Sequence, residues 1–172
     1  MRNKPSLTAY ETILGIDPGF DRLGWAVAKR QGEQWSAVEL GCIETNRQQS
    51  TTQRYQQLET DLQAVINKYQ PTQTAVETLF FANNVTTAMR VSETRGIIIA
   101  LLMRNQLLIS QYNPMKIKEA VTGDGKADKK AVEKMVRIEF GLTDKKVLDD
   151  AIDALAVVLT HQILSKNLKY YA

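Results

Sequence analysis

Four acidic residues stand where a carboxylate is costly. Asp17 ends an apolar run in ILGIDPG, Glu77 interrupts AVETLFF, and Asp150 and Asp153 lie in LDDAIDALAVVLTH. A charge on a core strand or an apolar helix needs a partner, and Ile13, Leu14, Gly15 and Ile16 offer Asp17 none. Strand alternation puts Glu77 on one face with Ala75 and Leu79. On a helix, residues three or four apart share a side, with Cβ atoms about 5–6 Å apart. Asp153 therefore pairs with Asp150 or with Asp149, and the spacing does not choose between them. Singly, Asp17, Glu77 and Asp149 have plainer readings. Asp17 can close an Asx turn with Pro18 and Gly19, Glu77 can face solvent from a half-exposed strand, and Asp149 can cap a helix or complement its dipole. Asp153, a turn further in beside Ala154, Leu155 and Ala156, has no such reading.

Carboxylates converging in a poorly solvated place repel one another, and some must bind protons unless a cation intervenes. An all-oxygen set suits magnesium, with manganese as a substitute, rather than zinc. A close pair of such ions can activate a water and steady the leaving oxygen of a phosphodiester. Competing chemistries are thin. The one cysteine, Cys42 in ELGCIET, reads as a small core residue, and the one histidine, His161, leaves no zinc site or Cys-His dyad to assemble. His161 follows Asp150 by eleven residues, roughly 16 Å along a helix, and reads as a satisfied or exposed histidine rather than a ligand.

A formal charge of +3 is weakly basic, but its distribution is not even. Lys116, Lys118, Lys126, Lys129, Lys130, Lys134 and Arg137 crowd one segment with Gly123 and Gly125. Any one of these lysines reads as ordinary solvated surface; as a cluster with glycines they suit a nucleic-acid backbone. Phe80 and Phe81 in FFANN alternate to opposite faces, and an exposed one can stack on an unpaired base.

The elements that must position these groups follow from periodicity. ILGIDPG, Leu23 to Arg30 and Gln34 to Thr45 predict three strands in an antiparallel meander. The turn PGFDRLG brings Gly19 and Gly24 near Asp17 and is expected to leave the backbone accessible there. Tyr55, Leu58, Leu62, Val65, Ile66 and Tyr69 mark a helix that Ser50 or Thr51 can cap and Pro71 stops. TAVETLFF predicts a fourth strand, Ala82 to Gln106 a long helix whose GIIIALLM half is expected to be buried in the core or against a partner, and LLISQY a fifth strand. Pro114 opens a short helix, TGDGKADKK reads as a flexible connector, and helices follow over Ala131 to Phe140 and Asp149 to Leu164. The result is an α/β fold with a mixed five-stranded sheet flanked by helices, in one domain of a 172-residue chain. MRNKPSLTAYE carries no apolar h-region, and the longest apolar run, Ile97 to Met103, is far short of the roughly 20 residues a bilayer needs. The expected location is the cytoplasm.

ILGIDPG, AVETLFFANN, TGDGKADKKAV and DDAIDALAVVLTH, in this order, resemble the RuvC family of Holliday-junction resolvases over about Ile13 to Ile163. The resemblance implies an RNase H-like fold and a homodimer that nicks two opposing strands of a four-way DNA junction. It places the family's catalytic, metal-binding carboxylates on Asp17, Glu77, Asp150 and Asp153, the aromatic wedge on Phe80, and two functional lysines on Lys118 and Lys129. Lys126 and Lys130 join these as expected DNA contacts from the basic cluster. Some members carry histidine where this chain has Asp150. Two magnesium ions per site are implied, as is cooperation with a junction-binding and branch-migration helicase pair of the RuvA and RuvB type. The expected organisation is a polar N-terminal extension (1–12), a nuclease domain (13–165) and a short tail (166–172) ending in LKYYA, without a basic extension.

Other readings remain at this stage. An actin-like or sugar-kinase ATPase also begins with a strand, an aspartate and glycines, but the chain is short for two lobes. A related RNase H-like nuclease acting on other branched DNA or structured RNA shares the same chemistry. A non-catalytic junction-binding module would be hindered by clustered negative charge.

Overall fold

Strand β1 (Thr12–Asp17) runs through the middle of the sheet in a computed structural model that describes residues 11–32, 34–78, 85–143 and 146–168. β2 (Arg22–Gln31) pairs antiparallel with β1, and β3 (Gln34–Glu44) antiparallel with β2. On the other side β4 (Gln73–Glu77) lies parallel to β1, and β5 (Leu108–Tyr112) parallel to β4. The order β3-β2-β1-β4-β5 is the mixed five-stranded sheet that the sequence predicts, meander included.

Helices α1 (Thr51–Tyr69) and α2 (Val85–Arg104) cover one face. They enclose a core with Leu14, Ile16, Leu23, Val27 and Val76 from the sheet. Helices α3 (Pro114–Thr122), α4 (Lys129–Glu139) and α5 (Asp149–Leu168) cover the other, where Ile13, Ala26, Ala28 and Ala75 meet α5. The alternation along β1 thus sends Leu14 and Ile16 to one layer, and Ile13, Gly15 and Asp17 to the other. Among the caps expected for α1, Ser50 is the one used: its hydroxyl accepts from the Gln53 N–H while Gln53 reaches back to the Ser50 N–H. At the other end Gln70 takes a left-handed conformation (φ 47°) before Pro71.

Several expectations need correcting. The helix buried nearly all round is α5, whose residues Ala151, Ile152 and Ala154 to Leu159 are all in the core. α2 buries one face through Thr94, Ile98, Leu101 and Leu102, and leaves Met89 and Met103 exposed. The reason is position: α5 is sandwiched between the sheet and the pair α3 and α4, whereas α2 has a neighbour only on its sheet side and in α1. The connector after α3 is ordered rather than flexible. Gly123 ends the helix with positive φ (81°), Thr122 Oγ1 accepts from the Asp124 N–H, Asp124 Oδ1 accepts from the Lys126 N–H, and Asp128 caps α4. β4 ends at Glu77, and Phe80 and Phe81, expected to continue it, lie outside the described residues.

The turn after Asp17 is anchored by a group that no apolar pattern marks. Arg54 lies on the inner face of α1 and is 6% exposed. Its guanidinium stacks 3.8 Å from the centre of the buried Phe20 ring, donates to Thr45 Oγ1 at 2.8 Å, and pairs with Asp21. Thr45 in turn donates to the Phe20 carbonyl. The Asp17–Asp21 turn is therefore tied to α1 and to the end of β3, which fixes where β1 delivers its carboxylate.

Candidate active site

Parallel pairing of β1 with β4 brings Ile16 opposite Val76, so Asp17 and Glu77 emerge side by side at the carboxyl ends of adjacent strands. Both point to the α5 side, as do Gly15 and Ala75 two residues earlier. α5 can approach this end closely because the sheet presents no side chain beneath it. A Cβ at Gly15 would lie 2.5 Å from the Ala154 carbonyl and the Val158 side chain, and a Cβ at Gly24 would collide with the Asp150 carbonyl. Gly24 is the register partner of Asp17, as proximity predicts, but its backbone is buried under α5 rather than accessible. The two glycines thus bring the first turn of α5, with its aspartates, down to the strand ends.

Asp17, Glu77 and Asp153 line one cleft of about 310 Å³ together with Lys118 from α3 and Lys129 from α4; Pro114, Ile117, Val132 and Ala156 form its apolar wall. Burial, reinforced by the charges of Asp153 and Asp150, pushes Asp17 up to about 7. Burial and the charge of Asp17 push Glu77 up to about 8, the protonated Glu77 carboxyl being hydrogen-bonded to Asp17. Asp153 is also raised, chiefly by burial, although Lys129 Nζ lies 2.8 Å from its Oδ2. Asp150 stands at the flank of the cleft and pairs with Arg22, Nε to Oδ2 2.8 Å. Asp149 is exposed in the first turn of α5, where negative charge complements the helix dipole. Packing therefore separates the two aspartates that spacing leaves equivalent: Asp150, not Asp149, is laid against the sheet.

Among the described residues, no three His, Cys, Asp or Glu side chains are gathered closely enough, as they stand, to hold an ion. The physical reason is visible: Asp153 is turned to Lys129, Asp150 to Arg22, and Glu77 to Asp17. The donor chemistry nevertheless fits a hard divalent cation. Asp17 and Glu77 are oxygen donors with raised affinity for positive charge, Asp153 is a third on the same cleft, and no nitrogen or sulfur ligand shares its lining.

Of the other residues singled out by sequence, Lys126 and Lys130 are exposed on the α3–α4 connector and the start of α4, and do not line the cleft. His161 is buried and satisfied, with the Tyr112 hydroxyl 2.8 Å from Nδ1 and Gln73 Oε1 2.7 Å from Nε2, as a structural histidine should be. Cys42 is half-buried rather than in the core, because β3 is the edge strand. Phe80 lies outside the described residues. The sequence reading missed Arg22 as the partner of Asp150; the signal available was only its position five residues after Asp17 in a turn already singled out.

The family model for "Crossover junction endodeoxyribonuclease RuvC" matches residues 13–161. This chain belongs to the RuvC family. A RuvC from Heliobacterium modesticaldum is 43% identical over 147 residues, covering 86% of this chain and 91% of that protein. One from Pseudothermotoga lettingae is 41% identical over 149 residues, covering 87% and 92%. The solved structure of Thermus thermophilus RuvC in complex with a Holliday junction substrate superposes with a TM-score of 0.84 at 28% identity, covering 91% of this chain and 96% of that one. The yeast mitochondrial Holliday junction resolvase Ydc2 shares the fold, with a TM-score of 0.67 at 14% identity. The expected RNase H-like, RuvC-type architecture is thereby established, and RuvC membership carries divalent-metal dependence with it.

Proposed function

We propose that this chain is a structure-selective endonuclease that resolves Holliday junctions in DNA recombination and repair, nicking opposing strands with Asp17, Glu77, Asp150 and Asp153 as the magnesium-binding, catalytic carboxylates. The observation that carries the reading is the meeting of Asp17, Glu77 and Asp153 in one cleft with Lys118 and Lys129. Two divalent ions held by these carboxylates, magnesium or in its place manganese, supply a water nucleophile at neutral pH and neutralise charge developing on the phosphate. The chain's own groups do the rest. Asp17 and Glu77, held at adjacent strand ends by sheet pairing, would hold the ions once deprotonated. Asp153 would join them in place of its contact with Lys129, which would leave the Lys129 ammonium for a phosphate oxygen. Lys118 lies on the same wall and serves the same strand. Lys126 and Lys130, exposed at the α4 end, extend the backbone track. Phe80, three residues beyond Glu77 in the sequence, is assigned to stacking at the junction crossover.

The active unit is a homodimer, since symmetric nicks need two such clefts; the exposed Met89 and Met103 of α2 are compatible with a partner there. Residues 13–165 are assigned to the nuclease domain, 1–12 to a polar extension and 166–172 to a tail, although β1 already begins at Thr12 and α5 runs on to Leu168. A role on junctions is consistent with a cytoplasmic protein that acts beside a helicase pair of the RuvA and RuvB type. Among the described residues no helix is long and apolar enough to cross a membrane.

The test is incubation with a synthetic mobile four-way junction and magnesium beside a linear duplex, a branched-DNA panel and structured RNA. Paired nicks in the four-way junction alone are expected. Asp17→Asn should lower nicking by about a thousandfold or more while junction binding persists, because a metal ligand is lost and no phosphate contact is. Full nicking by that variant, or equal cleavage of linear duplex by the native chain, would remove the reading.

A further inference from the structure

Asp150 is held differently from the other carboxylates. Its backbone sits directly over Gly24, where a side chain would collide with its carbonyl. Its Oδ2 accepts from Arg22 Nε at 2.8 Å, two residues earlier on the same strand. Arg22 is steadied from β3, where Glu44 is its register partner and Glu44 Oε1 lies 3.4 Å from Nη1. Backbone and carboxylate of Asp150 are thus both gripped by the start of β2, and the carboxylate flanks the cleft instead of lining it.

We propose that Arg22 is the positioning residue for Asp150: by taking Oδ2 it fixes the carboxylate and leaves Oδ1 available to a divalent cation at the edge of the cleft. The inference rests on the reading of Asp150 as a metal ligand. Two effects of a guanidinium beside a metal ligand oppose each other. Its charge repels the cation, but Arg22 is 41% exposed, so water and salt weaken that repulsion. Its single hydrogen bond removes the rotational freedom that an aspartate in the first turn of a helix otherwise loses on binding metal, and this local effect is not screened. Partners that orient a ligand in this way typically change metal affinity 10- to 100-fold. Orientation therefore wins, and Arg22 raises affinity. Lysine at the position would keep the charge but not the fixed planar donor geometry.

Manganese tests this without reference to nicking. Binding is measured on metal-free protein by the loss of the free Mn²⁺ electron-spin signal and by the rise in melting temperature on titration. Arg22→Met is expected to weaken Mn²⁺ binding about tenfold, and Arg22→Lys to recover part of it, with metal-free melting temperatures close to native. An Arg22→Met protein that binds Mn²⁺ within about twofold of native, or more tightly, overturns the positioning role while leaving the metal site intact. A native protein that binds no Mn²⁺ overturns both. If Arg22→Met does not fold, Arg22→Lys decides, and native affinity in that variant counts against the proposal.

Discussion

Asp17 and Glu77, at the ends of β1 and β4, hold a proton between them, whereas Asp153 and Asp150, on α5, are matched by the cations Lys129 and Arg22. The strand pair is fixed by sheet register and deeply set, so burial and mutual repulsion outweigh the charge of the nearby Lys129, and protonation is what lowers its charge. The helix pair sits nearer the rim, where long side chains from α4 and β2 can reach. The difference shows how a cluster of carboxylates is tolerable as it stands: half is eased by protonation and half by cationic side chains. On the proposed reading, loading metal should release protons from the first pair and the Lys129 ammonium from Asp153, while Arg22 keeps its hold on Asp150.

The comparison depends on α5 lying close enough to the sheet for both pairs to share a cleft, and Gly24 is where that closeness can be broken. Gly24→Ala places a methyl against the Asp150 carbonyl, with backbone on both sides and no flexible side chain to yield. A loss of about 3 kcal/mol in unfolding free energy is expected, at the upper end of overpacking costs. The helix pair, lifted away, should lose its contribution to metal binding as well. Denaturant unfolding reads the first effect. A variant as stable as native would mean that α5 is not seated on β2 as described.

The strand pair can be separated from the helix pair by pH. A carboxyl whose pKa is raised by folding adds stability that is complete below its unfolded value and lost as pH climbs through the folded one. For Asp17 that window runs from 3.8 to about 7, and for Glu77 from 4.5 to about 8. His161, whose pKa burial lowers, works in the opposite direction around its unfolded value, and Asp21, held low first by its hydrogen bond from Arg54, acts only at more acid pH. Comparing native protein with Asp17→Asn cancels these backgrounds. With chelator present, the stability of Asp17→Asn relative to native should rise by about 2 kcal/mol between pH 4 and pH 8.5, half the full shift because the two carboxyls share their proton. A difference that does not change with pH would show that Asp17 titrates normally and that the strand pair needs no proton.

Much of this arrangement is legible in the sequence because it follows from short-range periods. Two-residue alternation puts Asp17 and Glu77 on a common face with Gly15 and Ala75, and the apolar spacing of α1 gives its inner side. What stays hidden is set by pairing between distant segments. The choice of Asp150 over Asp149 depends on how α5 rotates against Gly24, and the role of Arg22 on β2 being the neighbour of that turn. Arg54 lies on the apolar face of α1, and the Phe20 ring and Asp21, more than thirty residues earlier, together with Thr45 Oγ1 make its burial tolerable. The all-round burial of α5 rather than α2 is a matter of layer order, which composition does not encode.

Lys129 offers the finest division between the two pairs, since the proposed function gives it to the helix pair without metal and to DNA with it. Its ammonium lies 2.8 Å from Asp153 Oδ2 and is more than half exposed, so the ion pair itself contributes little to stability. Lys129→Ala should therefore leave the melting temperature nearly unchanged. Its effect should appear in junction binding, where one phosphate contact fewer reduces the slope of log affinity against log salt by about 1, equally for every sequence. Without its competing lysine, Asp153 should also accept Mn²⁺ more readily, the reverse of the change expected at Arg22. The two cations then differ in kind: Lys129 stands in for the metal, and Arg22 prepares a ligand for it. If Lys129→Ala keeps the native salt slope and weakens Mn²⁺ binding, Lys129 is another orienting group rather than a stand-in, and the distinction between the two cations disappears.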